Sequence, residues 1–497
     1  MKENKVNQIK DLAVKGTVTL TVRRIILRAI DMAGMIFLAR LLTQSEFGIF
    51  GIINFIVFTL FGFLSDIGLA ASLIQKKEKI KKDDTATVFS VQLILVLLLN
   101  VLVWLFSPLL VQWYHLSFSS IWLMRVTALC LIVTSFKTIP SVLLEKNLLY
   151  EKLLIPQIFE HLSYSLVAVG LALMGYGVWS LIIAMVVRTV LGAVVLNFVN
   201  PWRIKFLISK KSLKNLLTFG VPYQLNSFLA LLKDNLTPTV IAFFYGPAAV
   251  GYVNLAQGIA SKPMEITNVV NRVVFPTFSK IQGNKERIGI WIEKGIRLMA
   301  YIYLPLVFGL LITARPILTL VYANKSDKWL PALAALYPFI IGALPVVMTT
   351  TITNVLFALG KSKTVLKLMG IYTLITWVLG IPLIIKIGYS GIAWAGVAVS
   401  LVSVILTWRE IKKAGISFSI RRVLGAPFLA AGSMALLMVW PIKHFAVNIG
   451  SLIGLMILAA IVYIALLFLF LGSKMKKEYQ MFLSLIPGKS PKTATRH

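Results

Sequence analysis

Apolar runs of roughly 20 residues, the length that crosses a bilayer as a helix, recur along the whole chain, each bounded by charge or by clusters of Gly, Pro, Asn and Ser. They predict about fourteen helices, at 17–39, 47–74, 86–112, 119–143, 153–174, 177–199, 213–236, 247–275, 288–313, 330–358, 364–386, 390–408, 422–441 and 448–471. The seventh to tenth carry Pro222, Pro238, Pro263, Pro305 and Pro338, and their ends are the least defined. The pattern is that of an all-α polytopic membrane protein.

Composition agrees. The 497 residues are 58% hydrophobic and 14% charged, with a mean hydropathy of +0.86, whereas soluble domains carry about 25% charged residues. A net charge of +32 would suggest nucleic acid in a soluble protein, but here its position relative to the bilayer decides its meaning. With the N-terminus inside, the inner segments hold roughly 33 basic residues and the outer ones about 7 (Arg40, Lys233, Arg315, Lys325, Lys328, Lys386 and Lys443). The asymmetry favours an even number of spans with both termini cytoplasmic, and it accounts for most of the charge without nucleic acid. Outer loops are short, leaving no sizeable domain outside. Cys130 is the one cysteine and sits in an apolar stretch, so disulfides, CxxC chemistry and cysteine metal sites are excluded. Met1 to Lys15 are polar, and no cleavable signal peptide is expected.

Two pairs of segments recur about two hundred residues apart. Glu46-Phe47-Gly48-Ile49-Phe50 resembles Ala249-Val250-Gly251-Tyr252-Val253, and Gly175-Tyr176-Gly177-Val178-Trp179 resembles Gly388-Tyr389-Ser390-Gly391-Ile392-Ala393-Trp394. Gly–aromatic pairs also recur by chance at membrane interfaces, but two matches at similar offsets argue for a repeat. A shift of six helices preserves orientation. The halves would be parallel repeats about a pseudo-two-fold axis along the membrane normal, with a cavity between two six-helix lobes. That gives an N-lobe at 1–200, a C-lobe at 201–414, two further helices at 415–473 and a cytoplasmic tail at 474–497.

Ten basic residues fall within predicted spans: Arg23, Arg24, Arg28, Arg125, Lys137, Arg188, Lys262, Arg272, Lys294 and Arg297. Each costs roughly 2.5–3.5 kcal/mol at a helix centre, so each must face a cavity, a partner or an interface. Asp31, Glu160, Asp234, Glu265 and Glu293 are too few to neutralise them, and a net positive interior follows. Arg24, Arg28 and Asp31 share one face of the first helix, flanked by Arg23. Arg23 and Arg24 either snorkel to inner headgroups or face a ligand, while Arg28 and Arg188 lie too deep for easy snorkelling. For Arg272 and Arg297, lipid phosphates and a substrate are equal claimants. Arginine suits phosphate because its planar fork matches phosphate oxygens and stays charged, so a cavity lined by several suggests a di-anionic ligand. Asp31, Glu160 and Glu265 are the candidates for coupling to protons or Na⁺; the plainer reading is that each neutralises a nearby arginine. His161, beside Glu160, reads as packing. No Walker A, HExxH, GxSxG or metal-ligand spacing is present, so ATP-driven transport and hydrolysis have no visible apparatus, and neither an enzyme nor a resident cofactor is expected.

The stretch Leu38-Ala39-Arg40-Leu41-Leu42-Thr43, then Glu46-Phe47-Gly48, then Asp66-Ile67-Gly68-Leu69, Ala71 and Leu73-Ile74-Gln75-Lys76 resembles the N-terminal signature of the polysaccharide transporter family. Gly175 to Trp179, Gly251-Tyr252 and Phe275-Pro276-Thr277-Phe278-Ser279 are similar to later features of it. These are flippases of bacterial surface-polysaccharide synthesis, akin to colanic and teichuronic acid exporters, in the superfamily that also holds multidrug extrusion transporters. The resemblance implies fourteen helices, two six-helix lobes plus two C-terminal helices, alternating access, and a place in the bacterial cytoplasmic membrane. It also implies a polyprenyl-diphosphate-linked oligosaccharide moved from the cytoplasmic to the outer leaflet. Partners would be that lipid, membrane lipids and polysaccharide assembly proteins, with helices thirteen and fourteen a groove for the polyprenyl tail. Related lipid II flippases use arginines in helices one, two and eight. Arg24, Arg28 and Arg272 match helices one and eight, but helix two has none. The diphosphate candidates are therefore Arg23, Arg24, Arg28, Arg188, Arg272 and Arg297. A cation-coupled drug antiporter of the same superfamily is the alternative, although drug cations want an acidic or aromatic cavity; a membrane glycosyltransferase or polymerase and an assembly scaffold are remoter ones.

Overall fold

The computed structural model describes residues 26–76, 78, 80–147, 149–264, 284–324 and 326–472. Arg23, Arg24, Glu265, Arg272 and the Phe275–Ser279 segment lie outside them. The described residues are helical with short connections, and they divide into two compact units, Met1–Gly251 and Tyr252–His497. Among the described residues ten helices are long and apolar enough to cross a membrane, and a bent pair makes an eleventh. The protein is a multi-pass helical membrane protein.

In the first unit, α1 (26–41) is followed by α2, Gln44–Leu64. Thr43 opens α2 with a capping box: its Oγ1 accepts from the Glu46 N–H at 3.3 Å, and Glu46 Oε2 accepts from the Thr43 N–H at 2.7 Å. The middle of α2, Asn54–Phe61, is π-helical. The expected span 47–74 then breaks at Ser65–Gly68, where Ile67 and Gly68 have φ of 35° and 79°, before α3, Leu69–Gln75. Gly68 is needed there, because a Cβ would stand 2.1 Å from the Gly220 carbonyl oxygen. Next come α4 (Lys82–Trp113), α5 (Ser120–Lys146), α6 (Tyr150–Leu173), α7 (Val178–Val199) and α8 (Lys210–Asn235). Leu69, Leu73, Phe89, Ile139 and Leu216 bury one core among α3, α4, α5 and α8; Leu38, Leu42, Ala168, Leu181 and Ala184 bury another among α1, α6 and α7.

The expected loop between 236 and 247 is helical. Helix α9, Thr237–Ala260, starts directly after Leu236 and kinks at Gly246, with φ of 73°. Pro238 sits in the first turn of α9, where a missing N–H costs no hydrogen bond, so it starts a helix rather than ending one. The α9 segment after the kink meets the start of α2. A Cβ on Gly48 would lie 1.7 Å from Pro247 O, and one on Gly251 would lie 2.2 Å from Gln44 O. Gln44 and Gly48 stand in the same register as Pro247 and Gly251, so the contact is reciprocal, as a two-fold contact is.

The second unit contains α10 (Lys285–Pro316), extended by a π-helical turn Ile317–Tyr322. Helices α11 (Leu333–Ala343) and α12 (Val346–Ala358) follow, the expected span 330–358 being bent by 47° between them. Then come α13 (Ser362–Ile387), α14 (Gly391–Lys413), α15 (Ile420–Phe445) and α16 (Ile449–Leu471). The three-residue turn Gly388–Ser390 folds α14 back on α13, and Gly391 has no room for a Cβ against the Leu383 backbone. Inside this unit Tyr303 Oη donates to Ala343 O at 2.9 Å and Tyr463 Oη to Tyr301 O at 3.0 Å. Trp329 is fully buried, edge-on to Tyr252 with 6.2 Å between centroids, and Tyr252 also meets Tyr389 at 5.7 Å. The repeated sequence segments thus pack on each other within each unit: Tyr252 on Tyr389 here, and in the first unit Glu46 against Gly177, whose Cβ would lie 2.4 Å from Glu46 Oε1.

Candidate substrate and ion site

Helix α6 has two faces. Ile155, Phe159, Leu162, Leu166 and Leu173 are exposed along one side, where lipid would lie. Glu160, His161 and Tyr164 turn the other way, and helical spacing (i, i+1, i+4) keeps them together. Each meets a group from a different helix. His161 Nδ1 is 2.6 Å from Asp31 Oδ1 of α1. Glu160 Oε1 accepts from Lys137 Nζ of α5. The Tyr164 ring lies under the Arg188 guanidinium of α7, 5.8 Å from its centroid, and within electrostatic reach of Asp31.

Small residues permit this convergence. A Cβ on Gly34 would lie 2.7 Å from Ser165 Oγ, so α1 comes close to α6 one turn beyond the Asp31–His161 pair. On the other side a Cβ on Gly192 would lie 2.0 Å from Glu160 Oε1, so the carboxylate occupies space that α7 leaves vacant one turn after Arg188. Side-chain exposure grades across the cluster, from 11% at Glu160 and about 20% at Lys137 and His161 to 38% at Asp31. Lys137–Glu160 is the enclosed pair, and Asp31–His161 opens outward.

The charges here are Asp31 and Glu160 against Lys137 and Arg188, with the exposed Arg28 one turn before Asp31 on α1. Pairing removes most of the cost of holding them in a bilayer. Arg188 differs: it rests on an aromatic face, which suits a guanidinium, and forms no ion pair with a carboxylate among the described residues. A planar cation so placed is available to a phosphate.

The sequence-predicted residues divide three ways. Asp31, Glu160 and Arg188 converge in the first unit, and Arg28 stands one turn before Asp31 on α1. Arg297 lies in the second unit, 3.9 Å from Glu293, whose other oxygen accepts from the Ser419 N–H at 2.8 Å and so holds the start of α15. Arg23, Arg24, Arg272 and Glu265 lie outside the described residues. His161, expected as packing, is instead the partner of Asp31. The signal was its place on the polar face of α6, opposite the exposed leucines. Lys137 and Tyr164 complete the cluster and were not singled out for a site. Arg125 is elsewhere on α5, between Trp104 and Trp122 at 5.0 and 5.3 Å, with hydrogen bonds to Ser107 Oγ and Trp104 O.

A second group of charges is architectural. Lys146, at the end of α5, donates to Leu73 O, Lys76 O and Glu78 O at 3.1, 2.6 and 3.4 Å. Asp84 is buried, accepts from Lys76 Nζ at 2.7 Å and caps α4 through the Lys81 N–H at 3.0 Å. These bonds fasten the α3–α4 connection to α5.

Comparison with known proteins gives likenesses of three kinds, to a family, to relatives in sequence and to solved structures. Residues 37–334 match a family described as polysaccharide biosynthesis protein. A membrane protein in the cps region of Klebsiella pneumoniae is 26% identical over 71% of this chain and 73% of its own length. The lipopolysaccharide biosynthesis protein WzxC of Escherichia coli K12 is 24% identical over 66% and 67%. Among solved structures, the lipid II flippase MurJ in an inward closed conformation covers 93% of this chain and all of its own, with a TM-score of 0.74 at 18% identity, a likeness of fold.

Proposed function

The chain belongs to the polysaccharide biosynthesis protein family, and from that premise we propose that it is a flippase for a polyprenyl-diphosphate-linked oligosaccharide, moving it from the cytoplasmic to the outer leaflet by alternating access. The observation that carries this reading is Arg188: a guanidinium inside a membrane protein, braced on Tyr164 and forming no ion pair with a carboxylate among the described residues. A cation in that setting is stabilised further by an anion arriving with the substrate, and a diphosphate supplies one whose oxygens fit the guanidinium fork. Arg28 adds positive charge on the neighbouring α1, and Arg23, Arg24, Arg272 and Arg297 are the further candidates. The same reading has fourteen crossings, two lobes at 1–200 and 201–414 with two helices after them, both termini cytoplasmic, and residence in the bacterial cytoplasmic membrane. The MurJ-like fold supports it, that protein being a lipid II flippase. A carrier of drug cations would gain nothing from an arginine in that place.

The test is translocation of a labelled polyprenyl-diphospho-oligosaccharide by purified protein in liposomes, with Arg28→Gln and Arg188→Gln alongside wild type. Both variants should lose translocation while remaining folded and inserted. In cells they should lose surface polysaccharide at unchanged protein level. Wild-type rates in both would remove these residues from the site, and drug efflux without lipid translocation would transfer the protein to the antiporter class.

A further inference from the structure

The two ion pairs on α6 are adjacent in sequence and different in chemistry. Glu160 meets a lysine, whereas His161 meets an aspartate. Histidine is the side-chain type that ordinarily changes charge between about pH 5 and 8; a lysine–carboxylate pair has no member that does. The pair that contains the histidine is also the more open one, with Asp31 at 38% exposure against 11% for Glu160.

From this geometry we infer that Asp31 and His161 form a proton-binding couple linked to the anion site at Arg188, so that diphosphate binding and protonation of His161 favour each other. The inference rests on the flippase reading for its ligand and on the structure alone for the couple.

An ionised carboxylate only accepts, so the hydrogen in the 2.6 Å contact sits on His161 Nδ1 and is donated to Asp31. Nε2 is then the atom that takes a proton from water, with no other bond changed. Charged and titratable groups facing the couple from the packed elements, among the described residues, are Arg28 on α1, Lys137 on α5, Glu160 and Tyr164 on α6, and Arg188 on α7. With His161 neutral, Asp31 and Glu160 balance Lys137 and Arg188. With His161 protonated the cluster gains one positive charge beside Tyr164 and Arg188. Linkage is reciprocal: an added cation tightens an anion, and the bound anion raises the proton affinity of the histidine by the same factor. Asp31 holds the ring in register through Nδ1, so it positions the couple, and His161 carries the proton. His161 is thus the residue through which the couple reads pH.

The experiment uses full-length protein in nanodiscs and a polyprenyl-diphospho-sugar as probe. The probe is a diphosphate diester, so its own phosphates stay ionised over the range studied. Affinity should tighten on the order of tenfold from pH 7.5 to 5.5. Binding at pH 7 should take up protons, seen as a calorimetric heat that depends on the buffer's ionisation enthalpy. His161→Gln, whose amide can still donate to Asp31, should bind with no pH step and no proton uptake; His444→Gln, a change far along the chain at the end of α15, should behave as wild type. Independently of any ligand, the ¹⁵N-histidine spectrum should contain one resonance whose titration moves in Asp31→Asn and vanishes in His161→Gln. Binding without pH dependence, or a pH step retained in His161→Gln, overturns the linkage and leaves the flippase reading standing. A His161 titration untouched by Asp31→Asn overturns the couple. No binding by wild type at either pH overturns both the linkage and the flippase reading, while the spectrum still decides the couple.

Discussion

The interiors of the two units solve the problem of polarity in a membrane differently. In Met1–Gly251 the middle of the helices carries charge: Asp31 against His161, Lys137 against Glu160, Arg188 over Tyr164. In Tyr252–His497 the described charge pairs each lie within one helix, Glu293–Arg297 in the first half of α10 and Glu410–Lys413 at the end of α14, and tyrosine hydroxyls donate to backbone carbonyls between helices. Among the described residues the charges drawn together from four helices lie in the first unit, and it is there that an added ligand or proton would be felt.

The comparison breaks first, and most severely, at the enclosed pair. Lys137→Ala leaves the Glu160 carboxylate without its partner and should cost about 3 kcal/mol or more, read as a fall in thermal unfolding midpoint in detergent; adding Glu160→Gln should recover most of it. If the single variant is as stable as wild type, the pair is not enclosed. Next, Arg188→Ala should lower substrate affinity on the order of thirtyfold, about 2 kcal/mol, with the melting midpoint nearly unmoved; a stability loss as large as the affinity loss would make Arg188 structural. In the second unit, Tyr303→Phe removes the donor to Ala343 O and should cost about 1 kcal/mol of stability while leaving translocation and its pH dependence intact. A changed pH profile there would extend ion chemistry to that unit. Smallest is Glu410→Gln, at a pair whose lysine is exposed, where unfolding should shift by no more than about 0.5 kcal/mol.

Helix positions were legible because a bilayer imposes length and apolarity on each segment separately: the runs near 86–112, 119–143, 153–174 and 177–199 lie within or close to α4 to α7. Errors arose where one residue type serves two purposes. Pro238 was read as a break because proline ends helices, yet at a first turn it begins one. The bend between α11 and α12 and the interruption at Ile67–Gly68 depend on local backbone angles that hydropathy does not encode. Candidate residues were legible by cost, since any ion in an apolar run demands a reason, and Arg28, Asp31, Glu160 and Arg188 stood out on that ground. Their pairing was not, because periodicity relates residues on one helix, whereas Asp31 meets His161 and Lys137 meets Glu160 across helices. His161 escaped notice because a lone imidazole looks the same in sequence whether it packs or titrates.

The reciprocal contact of Gly48 with Pro247 and Gly251 with Gln44 bears on how the protein is made. The start of α2 leaves the ribosome about two hundred residues before the segment it receives, a wait of roughly ten to forty seconds at ordinary synthesis rates. During that interval the bare glycine face of α2 is open to any other helix in the bilayer with a small residue to offer. Helix α9 therefore completes the contact when it arrives, and a chain halted before Pro247 should be the form most readily taken by membrane proteases.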